Sequence, residues 1–390
     1  MTTPVDAPAA LAWAYLSRVA EPPCPHLAAL VRRVGAVEAA DRVRRGLAGE
    51  EIARRTAARR EVDRAAADLE LLAARGGRLI TPDTDEWPLL AFTAFGARPG
   101  ARPGVHPPMV LWAQGPVRLD AMSERAAAVV GTRASTAYGE QVTADLVEGL
   151  IERDVAVVSG GAYGIDGAAH RAALTCDGIT VAALAGGLDV TYPAGHSALL
   201  HRIGRHGLVF SEYPPGVRPA RHRFLTRNRL VAAVTGASVV VEAGLRSGAA
   251  NTAAWARALG RVVGAVPGPV TSSASAGCHE LLRHGAQVVT RPDDVVELVG
   301  RIGELASERP RPATALDGLS PAQRHVYEAL PGRGAATIEE VAVASGLPAE
   351  QVLGPLAILE VAGLVRCVEG RWKVVQTNAA PAGRTPRLAF

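Results

Sequence analysis

Seven short apolar runs alternate with helical segments between about residue 125 and residue 290, and this alternation constrains the fold more than any other feature. The runs are apolar on both faces and read AAAVVG, VAVVSG, ITVAALAGG, LVFSEY, ASVVVEAG, RVVGAVPG and AQVVT. Strands of this kind suit a parallel sheet that is covered by helices. The pattern therefore predicts an α/β domain built on a doubly wound, Rossmann-like parallel sheet.

The segments on either side predict a helical start and a winged-helix end. Residues 8–75 space apolar side chains at three and four, which favours a small helical domain of the helix-hairpin-helix or SAM-like type, used either for packing or for touching nucleic acid. After a proline-containing linker at 301–317, residues 318–376 read as three helices and a hairpin, which favours a winged helix. We expect an irregular connection at 78–115 and a disordered tail at 377–390.

Composition argues against several classes of protein. The formal net charge of the 390 residues is +4, and Lys373 is the single lysine, so nearly all positive charge is arginine. A GC-rich genome would produce the same bias, so only clusters of arginine are informative. The four cysteines are widely spaced, which argues against a zinc site and a disulfide framework. No signal peptide or long apolar run is visible, so we expect a cytoplasmic protein without a membrane span. We also expect neither a metal nor a cofactor.

The turn after the first predicted strand is the first candidate site. Ligands of open parallel sheets bind outside the carboxyl ends of the strands. Here the strand is followed by Gly131, Thr132 and Arg133. These residues form either a plain tight turn or a nest of backbone amides for a phosphate, to which Arg133 would add its guanidinium.

The loop after the second predicted strand is rich in glycine. Its candidate residues are Ser159, Gly160, Gly161, Gly164 and Asp166. Glycines let a ligand approach the backbone closely. The loop matches neither G-x-G-x-x-G nor a Walker A motif, which argues against dinucleotide binding and ATP hydrolysis. Asp166 and His170 could form a general-base pair, but a structural hydrogen bond that fixes the loop is the preferred interpretation, and no catalytic residue is assigned.

A cluster of arginines follows the fourth predicted strand. Its members are Arg218, Arg221, Arg223, Arg227 and Arg229, and no acidic residue interrupts them. Phe224 and Asn228 lie among them. Arginine beside an aromatic ring can hold a phosphate backbone and stack a base, so the cluster predicts a polyanion site. Arg221, Phe224, Arg227 and Arg229 are the main candidates, and Arg218 and Arg223 are left as solvated charge.

Other strand ends contribute polar residues to the same edge of the sheet. Gly187 follows the third predicted strand, and Ser247 and Gly248 open the helix after the fifth. Glu242 ends the fifth strand. Its carboxylate would either accept a hydrogen bond from the amino group of a base or cap a neighbouring loop, and the residues alone do not decide between these roles.

Read in order, these motifs resemble the DNA-processing protein A family (DprA, also called Smf) over residues 78–300. The resemblance is carried by GTRASTAYG, SGGAYGIDGAAH, AGGLDVTYPAGH, SEYPPG, FLTRNRLVA, VVVEAGLRSGAANTAAWA and SAGCHELLRHGA. It implies an extended Rossmann-like fold and a homodimer that is not an enzyme. It also implies a function: binding and protecting single-stranded DNA and helping to load the RecA recombinase in homologous recombination, typically in natural transformation.

The resemblance also assigns roles to residues. It places Gly131, Thr132 and Arg133 at a phosphate site, Arg221 at a basic position, Phe224 at a base-stacking position, and Arg227, Asn228 and Arg229 at an R-N-R motif. It places Cys278, His279, Leu281 and Leu282 in a dimer-forming helix. Leu225 stands where the family has proline, and Gly195-His196-Ser197 replaces an asparagine and a lysine, so a basic contact is lost or is supplied by His196 or Arg202.

Two other functions remain as alternatives. The first is a phosphoribohydrolase-like enzyme that hydrolyses nucleotides on a related scaffold; against it, EAGLRSGAANT lacks the double glycine of such enzymes. The second is a duplex-binding regulator led by the winged helix. Its third predicted helix, the recognition helix AEQVLGPLAILEVAG, has no arginine or lysine for phosphate contacts, which favours a protein-contact or accessory role.

Overall fold

The computed structural model describes residues 6–97, 102–300, 316 and 318–375. These residues belong to two compact units, which lie within Met1–Ser307 and Glu308–Phe390. The predicted tail at 377–390, and the predicted linker at 301–317 apart from Leu316, lie outside the described residues.

A sheet of nine strands forms the centre of the first unit. Its strands are β1 (Gly77–Ile80), β2 (Leu111–Gln114), β3 (Ala126–Val130), β4 (Ala156–Ser159), β5 (Thr180–Leu184), β6 (Leu208–Ser211), β7 (Ala237–Val240), β8 (Val262–Ala265) and β9 (Gln287–Val288). They lie in the order β1-β2-β6-β5-β4-β3-β7-β8-β9. The chain builds outward from β3 in one direction and from β7 in the other. The topological switch point of the sheet therefore lies between β3 and β7, where ligands of such folds bind.

The seven predicted strands all pair in parallel, as β3 to β9. The prediction for residues 78–115 was wrong, because β1 and β2 extend the sheet as antiparallel strands. Ile80, Leu111 and Trp112 are fully buried. The prolines that suggested an irregular connection lie between these two strands, and each strand is too short to give a periodic signal.

Helices cover both faces of the sheet. They are α1 (Ala7–Val19), α2 (Pro25–Val34), α3 (Ala36–Arg44), α4 (Glu50–Thr56), α5 (Ala65–Ala74), α6 (Leu89–Phe92), α7 (Ala94–Ala97), α8 (Leu119–Ser123), α9 (Ala137–Ile151), α10 (Ile165–Thr175), α11 (Ser197–His206), α12 (Arg221–Ala233), α13 (Gly248–Ala258), α14 (Ala276–Arg283) and α15 (Pro292–Val299), with a 3-10 turn at Ala194–His196. Leu230 of α12 and Ala253 of α13 pack in one cluster with Val158 and Phe210 of the sheet.

The N-terminal helices pack on the opposite face. Trp13, Leu16 and Leu27 belong to the same buried cluster as Leu184 and Val209 of the sheet. The helical segment predicted at 8–75 therefore shares a core with the sheet within one compact unit and does not close a core of its own.

The second unit has the element order predicted for a winged helix. It consists of α16 (Pro321–Glu328), α17 (Ile338–Ser345), α18 (Ala349–Val361), β10 (Val365–Val368) and β11 (Arg371–Val374). The two strands form an antiparallel hairpin. Val326, Val341, Leu356 and Trp372 lie in a separate buried cluster, so this unit has its own core.

Among the described residues no single helix is long and apolar enough to cross a membrane; α17 and α18 pass that test only as a pair bent by 105°.

Candidate functional site

A pocket of about 750 Å³ opens at the switch point of the sheet, and we call it the switch-point pocket. It is bounded by the turn after β3, the loop after β4, the first turns of α12 and the start of α13. The predicted site residues that line it are Gly131, Thr132, Arg133, Gly160, Asp166, Arg221, Phe224, Arg227, Asn228, Ser247 and Gly248. Strand ends that are far apart in sequence therefore meet at one place.

The turn after β3 offers a ligand the side chain of Arg133, whereas two of its backbone amides are not free. The Thr132 amide donates to the Glu242 carbonyl oxygen at 2.7 Å, and the Ala134 amide lies 3.3 Å from Thr132 Oγ1. These two amides are therefore already bonded within the protein. Arg133 is exposed and lines the pocket, so its guanidinium is the part of this turn that can reach a ligand.

Arg227 and Asp166 fix the loop after β4 through hydrogen bonds to its backbone. Arg227 Nη1 donates to the carbonyl oxygens of Gly160, at 2.8 Å, and Ala183, while Asp166 Oδ2 accepts from the amide of Gly160 at 3.2 Å. A Cβ at Gly160 would lie 2.5 Å from Arg227 Nη2 and 2.8 Å from Asp166 Oδ2, so only glycine fits there. This group holds the pocket floor in place.

Burial acts on both of these ionisable groups. It lowers the pKa of Arg227 to about 10, although the neighbouring carboxylate of Asp166 opposes the shift. It also raises the pKa of Asp166, against the charge of Arg227 and the amide hydrogen bonds. Arg227 therefore remains a cation at neutral pH and adds positive charge to the pocket floor.

An aromatic pair stands on one wall of the pocket. The rings of Phe224 and Tyr192 lie 5.3 Å apart at an angle of 52°. The guanidinium carbon of Arg133 lies 5.4 Å from the centre of the Phe224 ring, and that of Arg227 lies 5.9 Å away. Phe224 is half-buried and Tyr192 is exposed, so a ring face is available next to fixed positive charge.

Three exposed guanidiniums surround the pocket. Arg133, Arg221 and Arg246 line it, and within the described part of the chain none of them forms an ion pair. Ser247 caps α13 by accepting from the Ala250 amide at 3.2 Å, so the positive end of that helix opens into the same space. Cations without acidic partners and a helix N-terminus together favour a polyanion.

Sequence reasoning did not select Tyr192 or Arg246 as site residues. Both follow predicted strands, in Asp189-Val190-Thr191-Tyr192 and Glu242-Ala243-Gly244-Leu245-Arg246. An exposed aromatic and an unpaired arginine placed a few residues after a strand would have been the signal. Because each residue lies several positions after the end of its strand, it was not counted among the strand-end residues.

Arg229 was predicted to contact DNA, but it does not line the pocket. Its side chain is fully buried, and Nη2 donates to both carboxylate oxygens of Glu212 at 2.7 Å. A guanidinium without solvent exposure cannot contact a nucleic acid on the surface. Arg223, left as solvated charge, also has a partner: its Nε and Nη2 donate to Glu21 at 2.6 and 2.9 Å.

Glu242 is a loop cap in the structure. It is buried and accepts from the amide of Thr136 at 2.9 Å and from Thr136 Oγ1 at 2.6 Å. Of the two roles considered from the sequence, the structure has the cap. The carboxylate fixes the start of α9 and does not line the pocket.

The other predicted glycines and Ser159 support the site without lining it. Ser159 is buried, and its Oγ donates to the Val129 carbonyl at 2.7 Å. The Gly187 amide donates to the Val217 carbonyl at 2.8 Å. Gly161 and Gly164 have φ values of +70° and +74°, which side chains disfavour. These residues shape the loops from which the pocket is built.

Asp166 and His170 serve different structural roles. His170 is fully buried, and its Nδ1 lies 2.7 Å from Thr180 Oγ1. Burial lowers its pKa to about 3, so the ring is neutral at physiological pH. The structural interpretation of this pair therefore agrees with the contacts of both residues.

Helix α14 contains the residues predicted to form a dimer interface, and two of them point into the core of the protein. Cys278 is fully buried with its thiol directed at the carbonyls of Val240 and Val241, and Leu281 is also buried. These two side chains pack in the core of their own unit, so they offer little surface to a second copy. His279 and Leu282 are partly exposed.

Among the described residues no group of three or more histidine, cysteine, aspartate or glutamate side chains is arranged to hold a metal ion.

The fold and the pocket define a doubly wound α/β protein with a cationic, aromatic pocket at its switch point and a winged-helix unit. More narrowly, the chain belongs to the DNA recombination-mediator protein A family, whose model matches residues 78–300. The model of the DprA winged helix domain matches residues 310–371. The predicted family and fold class are confirmed, and membership assigns the chain a role in DNA processing and recombination.

Individual relatives agree with this assignment. The chain is 76% identical over 376 residues to a putative DNA processing protein DprA of Mycobacterium tuberculosis, covering 96% of this chain and 97% of that protein. It is 35% identical to protein Smf of Escherichia coli, covering 75% of this chain and 76% of the relative. The X-ray structure of DprA from Streptococcus pneumoniae matches with a TM-score of 0.60 at 29% identity, covering 75% of this chain and 98% of that one.

Proposed function

We propose that the protein binds single-stranded DNA in the switch-point pocket, protects it, and helps to load the RecA recombinase during homologous recombination. The observation that carries the proposal is the ring pair of Phe224 and Tyr192 beside the exposed guanidiniums of the pocket, which form no ion pair with any described residue. This combination suits a flexible polyanion with exposed bases.

Each part of the pocket has a role in this proposal. Arg133, Arg221 and Arg246, together with the start of α13, contact phosphates. Phe224 stacks on a base, and Tyr192 supports its ring. A duplex hides its base faces in the helix, so the aromatic pair favours a single strand. Gly160, Asp166, Arg227 and Asn228 keep the floor and wall of the pocket in shape.

The wider biological setting rests on family membership. We propose RecA as the protein partner, a homodimer as the working assembly, natural transformation as the typical process and the cytoplasm as the location. In the dimer, the partly exposed His279 and Leu282 of α14 would contribute to the interface.

Binding without catalysis is the form of the proposal that the pocket supports best. Nucleotide hydrolysis of the phosphoribohydrolase type needs a carboxylate directed at the ligand. The Glu242 carboxylate is bonded to Thr136, and Asp166, although it lines the pocket, accepts through Oδ2 from the amides of Gly160 and Ala162. Release of a free base from nucleoside monophosphates would favour the enzyme instead.

The proposal is tested by titrating fluorescent oligonucleotides with the protein at several salt concentrations. We expect tighter binding of a single strand than of a duplex of the same length, with an affinity that falls steeply as salt rises. Equal or tighter binding of the duplex would contradict the proposal.

A further inference from the structure

A second, apolar pocket of about 260 Å³ lies away from the switch-point pocket, and we call it the N-terminal pocket. It lies between α1 and α2 on one side and the chain around residues 82–93 and 107–109 on the other. Its larger apolar lining residues include Trp13, Val31, Trp87, Phe92 and Met109. All of these residues belong to the same compact unit.

The size and rim of this pocket favour a side chain as its occupant. Pockets for small molecules usually measure roughly 300–1,000 Å³ and combine apolar walls with several polar groups. This pocket is smaller, and its lining is nearly all apolar. Leu89 on its edge is 68% exposed, and the adjacent Leu90 is 78% exposed. Neighbouring exposed leucines beside an apolar pocket are typical of a protein-contact surface.

Helix α2 places positive charge beside the N-terminal pocket. Arg32 is the charged residue in its lining, and α2 carries His26, Arg32 and Arg33 but no acidic residue. Arg32 and Arg33 are exposed, and neither forms an ion pair within the described ranges. Burial, and then the charges of Arg229, Arg32 and His26, lower the pKa of His106, which is adjacent to the lining residue Pro107.

Of the acidic groups nearest in sequence to the pocket, Glu86 and Asp85 lie beside arginines, whereas Asp83 is hydrogen-bonded to the neutral ring of Trp13. Asp83 Oδ2 accepts from Trp13 Nε1 at 2.9 Å, and Asp85 lies 3.6 Å from Arg118. Asp83 keeps an exposed negative charge there, so the positive charge that an acidic partner would complement is that of Arg32 and Arg33 on α2.

We propose that the N-terminal pocket binds an acidic peptide segment of another protein, with one bulky apolar side chain inserted between Trp13 and Phe92. The acidic residues of that segment lie over Arg32 and Arg33. The N-terminal pocket shares no lining residue with the switch-point pocket. A protein partner bound here and a DNA strand bound at the switch-point pocket can therefore be held at the same time.

The test uses the full-length protein and a fluorescent peptide in which several aspartates are followed by leucine and phenylalanine. We expect saturable binding that is lost when alanines replace the leucine and phenylalanine, and weakened when asparagines replace the aspartates. Arg32→Glu should weaken binding about fivefold, because it places a negative charge beside the acidic residues of the peptide. Ala28→Trp, which fills the pocket from α2, should abolish it.

Arg205→Glu is the matched control. Arg205 is also an exposed arginine in the last turn of a helix, α11, and does not line the pocket. It should leave peptide binding unchanged, and equal thermal melting of the variants would show that their folds are intact. The proposal is overturned if the peptide does not bind, or if Arg32→Glu and Ala28→Trp bind it as tightly as the wild type does. It is also overturned if a single-stranded oligonucleotide displaces the peptide.

Discussion

At the scale of single residues, Phe224 contributes a ring face to the proposed DNA site and no charge. Phe224→Ala should weaken binding of a single-stranded oligonucleotide by about 1–3 kcal/mol, which is the range for one stacked base. Phe224→Trp should retain most of the affinity. Fluorescence anisotropy at fixed salt measures both. Because no phosphate contact is lost, the dependence of affinity on salt should stay the same, and a changed salt dependence would mean that the residue acts through charge.

Arg229 and Arg221 show how two arginines of one helix can have opposite roles. Arg229 is buried against Glu212, whereas Arg221 is exposed at the first turn of α12. Removing one partner of a buried ion pair leaves the other charge unpaired, so Arg229→Ala should lower the free energy of unfolding by about 3–5 kcal/mol.

Urea unfolding followed by circular dichroism measures this loss. Arg221→Ala is the control and should change the free energy of unfolding by less than about 0.5 kcal/mol, as exposed substitutions usually do. If Arg229→Ala were as stable as the wild type, its buried pair with Glu212 would not be a structural element of the fold.

At the scale of elements, α12 presents pocket residues and is also tied to the N-terminal helices. Glu21, between α1 and α2, accepts hydrogen bonds from Arg59 on one side and from Arg223 of α12 on the other. Arg18 of α1 also donates to the Pro215 carbonyl just before α12. The N-terminal helices therefore help to hold the helix that carries Arg221 and Phe224.

The Glu21 contact should be visible in the pH dependence of stability. Burial alone would raise the pKa of Glu21, but hydrogen bonds from Arg223 and Arg59 lower it to about 2 from an ordinary 4.5. A lowered carboxyl pKa contributes stability above pH 4.5 that is lost as the pH falls toward 2. Glu21→Gln should cost about 1–2 kcal/mol at pH 7, since solvent screens this partly exposed group.

Urea midpoints of wild type and Glu21→Gln across that pH range provide the measurement. The difference between them should narrow as the pH falls below 4.5. A difference that stays constant from pH 7 to pH 3 would mean that the charge of Glu21 does not support the contact.

The elements also show what the sequence can and cannot reveal. The strands β3 to β9 could be predicted because their valine- and alanine-rich runs are bounded by glycine and polar residues. The place of β2 depends on pairing with β6, which is distant in the chain, and β1 pairs in turn with β2, so no local signal identifies either strand. The burial of Arg229 likewise depends on Glu212, which lies on a neighbouring segment, and a charge run alone does not show which of its members turn inward.

At the scale of the whole molecule, the first unit contains every residue of the switch-point pocket. The winged-helix unit has no arginine or lysine on α18, where Leu353, Ile358 and Val361 are exposed. A chain truncated after Gly300 should therefore keep single-strand affinity within about threefold of the full-length protein, because it loses no phosphate contact of the pocket. Anisotropy titration of both proteins with one oligonucleotide checks this, and a loss of tenfold or more would place part of the DNA site in the second unit.

The most direct test of the central claim is the affinity of Arg221→Ala for a single-stranded oligonucleotide, measured over a series of salt concentrations beside Arg205→Ala. Both residues are exposed helical arginines, but only Arg221 lines the switch-point pocket. We predict that Arg221→Ala weakens binding about tenfold and reduces the slope of log affinity against log salt by about 0.7, as expected for one lost contact to a single-strand phosphate, while Arg205→Ala changes neither. Equal affinities and slopes for the two variants would contradict the placement of single-stranded DNA in this pocket.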